Sequence, residues 1–125
     1  MILDTNGLSA LADGDLALEP ILRRTHDLAV PTIVLGGYLY GISQSRQRAK
    51  YEQWLMESIP SYRVLDVNLE TAERYAEILQ ELKKAGHPIP ANDLWIAALV
   101  RQHDLPLISR DQHFDFVAGL TRIAW

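Results

Sequence analysis

The sequence predicts an α/β domain with a mainly parallel central sheet, on three observations. Short apolar runs at Met1 to Asp4, Leu28 to Val30, Tyr62 to Val67 and Pro106 to Ser109 alternate with segments of helical spacing. The chain between successive runs is long enough for a helical crossover, the connection that parallel strands require. From Leu94 to Val100 seven consecutive residues are apolar without strand-like turn flanks, which reads as a buried helix at the core.

Taken in order, Met1 to Asp4 is a strand ending in an acid, and Leu8 and Leu11 give the Asn6-to-Leu11 stretch helical spacing after a sharp turn. Asp13-Gly14 is a turn, followed by a helical segment from Leu16 to Arg24. Pro31 stops the second strand and Thr32 is placed to cap the next helix. Ile33 to Ile42 is mostly apolar but carries adjacent Gly36 and Gly37, each costing about 1 kcal/mol relative to alanine inside a helix. Gln44 to Ser58 reads as an amphipathic helix with a charged outer face. After the third strand, Asn68 caps a long helix whose apolar stripe is Leu69, Ala72, Tyr75, Ala76, Leu79 and Leu82, with Gly86 as its stop. Pro88-Ile89-Pro90 is a stiff connection into the buried helix. Asp111 to Phe116 is a short turn or helical piece, and Leu120 to Ile123 an edge strand.

Composition narrows the function classes. The 125 residues fit one domain, 1–125, with a single core, and 48% apolar against 22% charged residues is ordinary for a globular chain. Twelve Lys and Arg against sixteen Asp and Glu give a net charge of −4, which lacks the footprint of a protein gripping a long nucleic-acid backbone; local contact stays open. The absence of cysteine excludes disulfides, thiolate zinc sites and cysteine nucleophiles, so any metal must take oxygen or imidazole ligands. With neither a basic-apolar leader nor a window near the roughly 20 apolar residues of a membrane span, the expectation is a cytoplasmic protein.

In a parallel sheet the ligand crevice lies beyond the carboxyl ends of the strands, so acids there deserve scrutiny. Asp4 ends the first strand, Asp111 follows the Pro106-to-Ser109 strand, and Asp93 opens the buried helix. Three carboxylates in one crevice repel one another, and a hard divalent cation relieves that repulsion. Such a centre suits phosphodiester hydrolysis. Each acid also has a plainer reading: Asp93 as a helix cap beside Asn92, Asp4 as a turn-former before Thr5-Asn6, Asp111 as a solvated charge.

The segments Ile2 to Leu11 (ILDTNGLSAL), Asn92 to Ala98 (NDLWIAA) and Leu107 to Phe114 (LISRDQHF) resemble the three acidic motifs of the PIN domain family, with the closest likeness to VapC-type toxins. The resemblance runs over essentially the whole chain. It implies a PIN-like α/β/α sandwich, an endoribonuclease dependent on Mg²⁺ or Mn²⁺, a homodimer, and inhibition by a VapB-like antitoxin. It also implies an RNA substrate, with tRNA a candidate. Carried over by position, Asp4, Asp93 and Asp111 are the catalytic, metal-site acids, and Thr5 and Ser109 are supporting hydroxyls.

One position departs from the family. Where its members usually carry a Glu in a pattern like Glu-Tyr-Leu-Tyr-Gly, this chain reads Gly37-Tyr38-Leu39-Tyr40-Gly41. The resemblance therefore implies a missing acid at Gly37 and an attenuated enzyme. The alternatives are a catalytically inactive PIN domain that binds antitoxin or RNA, and a Gly37 that simply permits close helix packing. A receiver-like domain fits less well, because Asp4 is followed by Thr5-Asn6 rather than a second acid and Ser109-Arg110 supplies no lysine. Arg23, Arg24, Arg46, Arg48, Lys50 and Arg110 are candidate phosphate contacts, though helical cations are mostly solvated. His113 reads as a surface histidine, and Tyr38, Tyr40, Tyr51 and Trp54 as core or dimer contacts.

Overall fold

Apolar pairs and triplets make up the strands: β1 (Ile2–Leu3), β2 (Ala29–Pro31), β3 (Arg63–Leu65), β4 (Leu107–Ile108) and β5 (Arg122–Ile123). In the computed structural model, which describes residues 1–125, they form one sheet in the order β3-β2-β1-β4-β5, every neighbouring pair parallel. Between them run α1 (Thr5–Ala12), α2 (Glu19–Leu22), α3 (Thr32–Ile42), α4 (Arg48–Ser58), α5 (Leu69–Ala85) and α6 (Ala91–His103). Helices α1, α3 and α4 pack together and α5 packs on α6, completing an α/β/α sandwich. The central strands are buried on both faces, as parallel sheets are: Ile2, Leu3, Leu107 and Ile108 have no exposed surface. Chain order reverses where β1 meets β4, so a crevice opens beyond Leu3 and Ile108. No helix is long and apolar enough to cross a membrane.

Several local expectations change for physical reasons. The helical segment expected from Leu16 to Arg24 shrinks to Glu19–Leu22, because the Asp15 carboxylate holds the Ala17 N–H in a turn at 2.9 Å and Pro20 suits only a first helical turn. The strand expected to stop before Pro31 includes it, paired with Leu65. Thr32 does not cap α3; it is the first helical residue, and its hydroxyl donates to the Asp66 carboxylate at 2.6 Å. The Gln44-to-Ser58 helix starts only at Arg48, since the Ser45 hydroxyl accepts the Gln47 N–H at 3.1 Å in a preceding turn. Despite Gly36 and Gly37, α3 runs unbroken.

The apolar stripe of α5 is rotated from its expected place. Thr71, Ile78 and Leu82 are its buried residues, whereas Leu69 is 77% exposed. The partner explains the shift: α5 packs on α6, with Tyr75 stacked on Trp95 at 4.1 Å between ring centres and Thr71 donating its hydroxyl to Gln102. Asn68 caps α5 as expected, accepting the Thr71 N–H at 3.2 Å while its own N–H donates to the Thr71 hydroxyl at 3.0 Å. Gly86 ends the helix at φ 72°, a left-handed conformation that favours glycine. Because Asn68 Oδ1 also accepts from the Gln102 side chain at 3.1 Å, Asn68→Ala unties a junction between the two helices. Urea denaturation of that variant should show a loss of about 1–2 kcal/mol, the upper part of the range for lost caps.

Candidate metal and hydrolytic centre

The crevice beyond β1 and β4 gathers the three acids. Asp4 leaves β1 in extended conformation and caps α1, its Oδ1 accepting the Gly7 N–H at 2.7 Å. Its Oδ2 accepts the hydroxyl of Ser109, the first residue after β4, and that same hydroxyl oxygen accepts the Asp111 N–H at 3.0 Å. Ser109 thus ties Asp4, 105 positions away from it in sequence, to the backbone of Asp111. Asp111 in turn caps the 3₁₀ turn Gln112–Phe116 by accepting the His113 N–H at 2.9 Å. Asp93 lies in the first turn of α6 but is not its cap, a place taken by Pro90; its carboxylate points to the His113 ring, 3.3 Å from Nδ1. The same nitrogen lies 3.1 Å from Asp111 Oδ1.

Gly7 makes the approach of α1 possible. A Cβ there would stand 2.8 Å from Leu3 Cδ2, 3.2 Å from Asp4 Oδ1 and 3.4 Å from the Ile108 carbonyl. Beyond the acids, Arg122 on β5 holds Asp115 with two bonds of 2.7 and 2.9 Å and donates to the Ser109 carbonyl at 3.2 Å, bracing the loop that carries Ser109 and Asp111.

The electrostatics follow from burial. Asp4 is 5% exposed, and its carboxyl titrates above the ordinary 3.8 chiefly because burial penalises the charge; bonds from Ser109 and Gly7 oppose this, and the charges of Asp111 and Asp93 add to it. Asp93 is also raised, again first by burial, with the His113 contact pulling it down and the Asp111 charge pushing it up. Mutual repulsion of this kind is what a divalent cation relieves. Ligand atoms of Asp93, Asp111 and His113 lie within 4.8 Å of one another; Asp4 is not in this group and joins it through Ser109, which bonds its carboxylate and the Asp111 backbone. This oxygen-rich donor set fits a hard cation of the Mg²⁺ or Mn²⁺ kind.

Gly37, where the resemblance implies an absent acid, packs against Thr5 at the edge of this centre. A Cβ built on it would meet Thr5 Oγ1 at 3.2 Å and Cγ2 at 3.4 Å, and Thr5 follows Asp4 directly in the chain. Gly37 is therefore a position from which a longer side chain would approach the acids past Thr5. The cations read as phosphate contacts are partly engaged elsewhere: Arg23 pairs with Glu19, Arg48 with Glu52, and Arg110 lies 4.6 Å over the Trp125 ring. Tyr38 is buried and tilted against Trp54, while Tyr40 is 83% exposed. His113, read as a surface residue, is exposed and in addition bridges two of the acids. Its offset of two from Asp111, the spacing of an Asx turn, was the available signal. Neither Gly7 nor Arg122 stood out in the sequence: the close approach at Gly7 involves the Ile108 carbonyl of a different strand, and Arg122 reaches Ser109 only once β5 is placed beside β4.

Ser109→Ala tests the junction. The change leaves the buried Asp4 Oδ2 and the Asp111 N–H each without its partner, so chemical denaturation should show a loss of about 1–3 kcal/mol.

Comparison with known proteins agrees with this fold. The model of the PIN domain family matches residues 1–120. Ribonuclease VapC5 of Mycobacterium tuberculosis is 31% identical over 68 residues, 54% of this chain, so the match spans half the length of that relative. Ribonuclease VapC2 of Rickettsia felis is 25% identical over 106 residues, 84% of this chain and 79% of that one. Among solved structures, VapBC2 from Rickettsia felis bound to a fragment of promoter DNA superposes with a TM-score of 0.86 at 24% identity, covering 99% of this chain and 97% of that chain. FitAcB from Neisseria gonorrhoeae superposes with a TM-score of 0.83 at 25% identity, covering 98% and 95%.

Proposed function

The chain belongs to the PIN domain family, and from that premise we propose that it is a VapC-type toxin: a single-domain, metal-dependent endoribonuclease, attenuated by glycine at position 37. The observation that carries this reading is the convergence of Asp4, Asp93 and Asp111 on one crevice at the strand ends, joined by Ser109 and His113. The acids come from three separated parts of the chain, and burying them together raises two of their titrations. Structural ion pairing would have supplied cations; here Asp4 meets the Ser109 hydroxyl, Asp93 and Asp111 meet the His113 imidazole, and no Lys or Arg forms an ion pair with any of the three.

In this reading Asp4, Asp93 and Asp111 hold Mg²⁺ or Mn²⁺. When bound, such a cation lowers the pKa of a coordinated water and neutralises charge on phosphoryl oxygens. The protein's own residues orient the site. Ser109 fixes both Asp4 and the backbone of Asp111, Gly7 N–H fixes the other Asp4 oxygen, and the packing of α1 against the strands keeps water from the Leu3 side. Thr5 lines the path from α3 to the acids. The phosphate of an RNA, tRNA among the candidates, is the group this arrangement fits.

Two relatives are ribonucleases by name, and the VapBC structures pair a similar chain with an antitoxin, which supports a VapB-like partner here. A second copy of the chain is the expected assembly partner, and cytoplasm the expected compartment. Gly37 favours one second reading, a catalytically inactive domain that retains antitoxin or RNA binding. Incubating an RNA panel with this chain and with Gly37→Glu, with Mg²⁺, with Mn²⁺ and with EDTA, separates the two. Cleavage that needs metal supports the enzyme, whereas none by either folded protein leaves the binding module.

A further inference from the structure

Beside the acids, α1, α3 and α4 enclose a cleft of about 380 Å³ whose walls include Ser9, Gly37 and Gly41, with Asp13 and Tyr51 at its outer side. Volumes of this order suit ligands larger than a water cluster, since small-molecule sites span roughly 300–1,000 Å³. Two features distinguish it from a gap between helices. Gly37 and Gly41 lie four residues apart on one face of α3, and a Cβ at Gly41 would meet nothing within 4 Å, so the cleft is open where side chains would otherwise fill it. Independently, Tyr38 is 3% exposed and lines the cleft, yet its buried hydroxyl has no hydrogen-bond partner. A buried hydroxyl left unpaired is costly, and a polar ligand in the cleft would satisfy it.

We propose that this cleft is a nucleobase subsite of the ribonuclease, selecting a base with amino and imino donors, guanine foremost, next to the phosphate held at the acids. The inference rests on the ribonuclease reading, and it names what lies on one side of the scissile bond. No Lys or Arg lines the cleft, so it is no phosphate site; the acidic rim residue Asp13 asks for donors instead. The Tyr51 hydroxyl donates to Asp13 Oδ1 at 2.9 Å, which orients the carboxylate and leaves its second oxygen free to accept. Guanine presents an imino and an amino N–H side by side, whereas the single N–H of uracil is flanked by two carbonyls that a carboxylate repels. Reading unstacked bases on their edges beside aromatic side chains is how single-stranded RNA is generally distinguished. Thr5 belongs to both places, lining the cleft and directly following Asp4, and the cleft wall continues to Gly37, whose Cβ would meet the Thr5 side chain.

The test uses the full chain in EDTA with guanosine, adenosine, cytidine and uridine, nucleosides that lack phosphate, followed by backbone amide shifts in two-dimensional NMR. Guanosine should shift Asn6, Gly37, Gly41 and Ser45 and bind about tenfold more tightly than uridine, a single hydrogen bond's worth of discrimination. Tyr38→Phe should weaken guanosine about five- to tenfold, and Gly41→Leu, which fills open space on an exposed face, should abolish the shifts with the fold intact by circular dichroism. Equal response to all four nucleosides, shifts elsewhere, or Tyr38→Phe binding as well as the parent would overturn the subsite. Tighter binding of N-acetylarginine amide than of guanosine would overturn it too, assigning the cleft to a peptide side chain. RNA cleavage by the Gly37→Glu variant with no nucleoside in the cleft sinks the subsite and leaves the ribonuclease reading standing. Guanosine binding with no cleavage under any metal does the reverse.

Discussion

Gly37→Glu should raise metal-dependent RNA cleavage by about 10- to 100-fold, the range over which a missing ligand-orienting carboxylate usually changes metal affinity or activity. The expectation has a structural basis independent of family likeness. Position 37 sits in an unbroken helix, and its Cβ direction leads to Thr5, one residue from Asp4. The closest contact is the Thr5 side chain, which can give by a few tenths of an ångström, so the backbone of α3 need not move. Replacing glycine inside a helix contributes roughly 0.5–1 kcal/mol, part of which is consumed in displacing Thr5. Without metal, a further negative charge beside three carboxylates opposes that gain. Stability by denaturation should therefore rise in Mn²⁺ and rise less, or fall, in EDTA, while calorimetry shows tighter Mn²⁺ binding. A folded variant with unchanged cleavage and unchanged Mn²⁺ affinity would show that Gly37 is not the place of a missing acid.

How far the sequence discloses this molecule depends on the range of the interactions involved. The strand ends were legible, because Leu3-Asp4 and Ile108-Ser109 each join a buried apolar pair to a polar residue, and the parallel-sheet rule sends such residues to one crevice. The caps of α5 were legible because Asn68 and Gly86 act on backbone within a turn of themselves. The buried face of α5 was not, since Thr71 is buried where α5 packs on α6, its hydroxyl bonded to Gln102, 31 residues away, and a threonine does not register in a hydrophobic stripe. The same limit applies at the centre. The three acids carry a recognisable pattern, but the bridging place of His113 depends on a 3₁₀ turn that swings it between Asp93 and Asp111. Arg122 reaches Ser109 across an edge strand pairing that no local pattern specifies. The paired glycines of α3 were visible as a local conflict with helix propensity. That Gly37 and Gly41 share a cleft with an unpartnered Tyr38 hydroxyl required the third dimension.

Asp4→Asn, made in the Gly37→Glu background, should abolish cleavage, a loss of at least about 100-fold, and yet make the metal-free protein more stable. Both effects have one origin. Asp4 is nearly inaccessible and its titration is raised, so the folded chain holds a carboxylate in a place that disfavours the charge. The linkage sign follows: from the unfolded value near 3.8 up to the raised folded value, the native state binds more protons than the unfolded one, so stability falls as pH rises through that window. Above it the cost of the ionised group is fully present. Asparagine keeps an oxygen for the Gly7 N–H and removes the charge; its amide can donate to the Ser109 oxygen, with some rearrangement of the hydroxyl proton. The melting temperature of Asp4→Asn should thus exceed that of its parent at pH 7 in EDTA, and the difference should narrow as pH falls toward 4. Added Mn²⁺ should stabilise the parent but not the variant, reversing the order. If instead Asp4→Asn is less stable at every pH and Mn²⁺ stabilises both proteins equally, Asp4 serves as a helix cap alone. The carboxylate is kept at a cost to the free fold at neutral pH, a cost that protonation removes and that a cation in the crevice would offset.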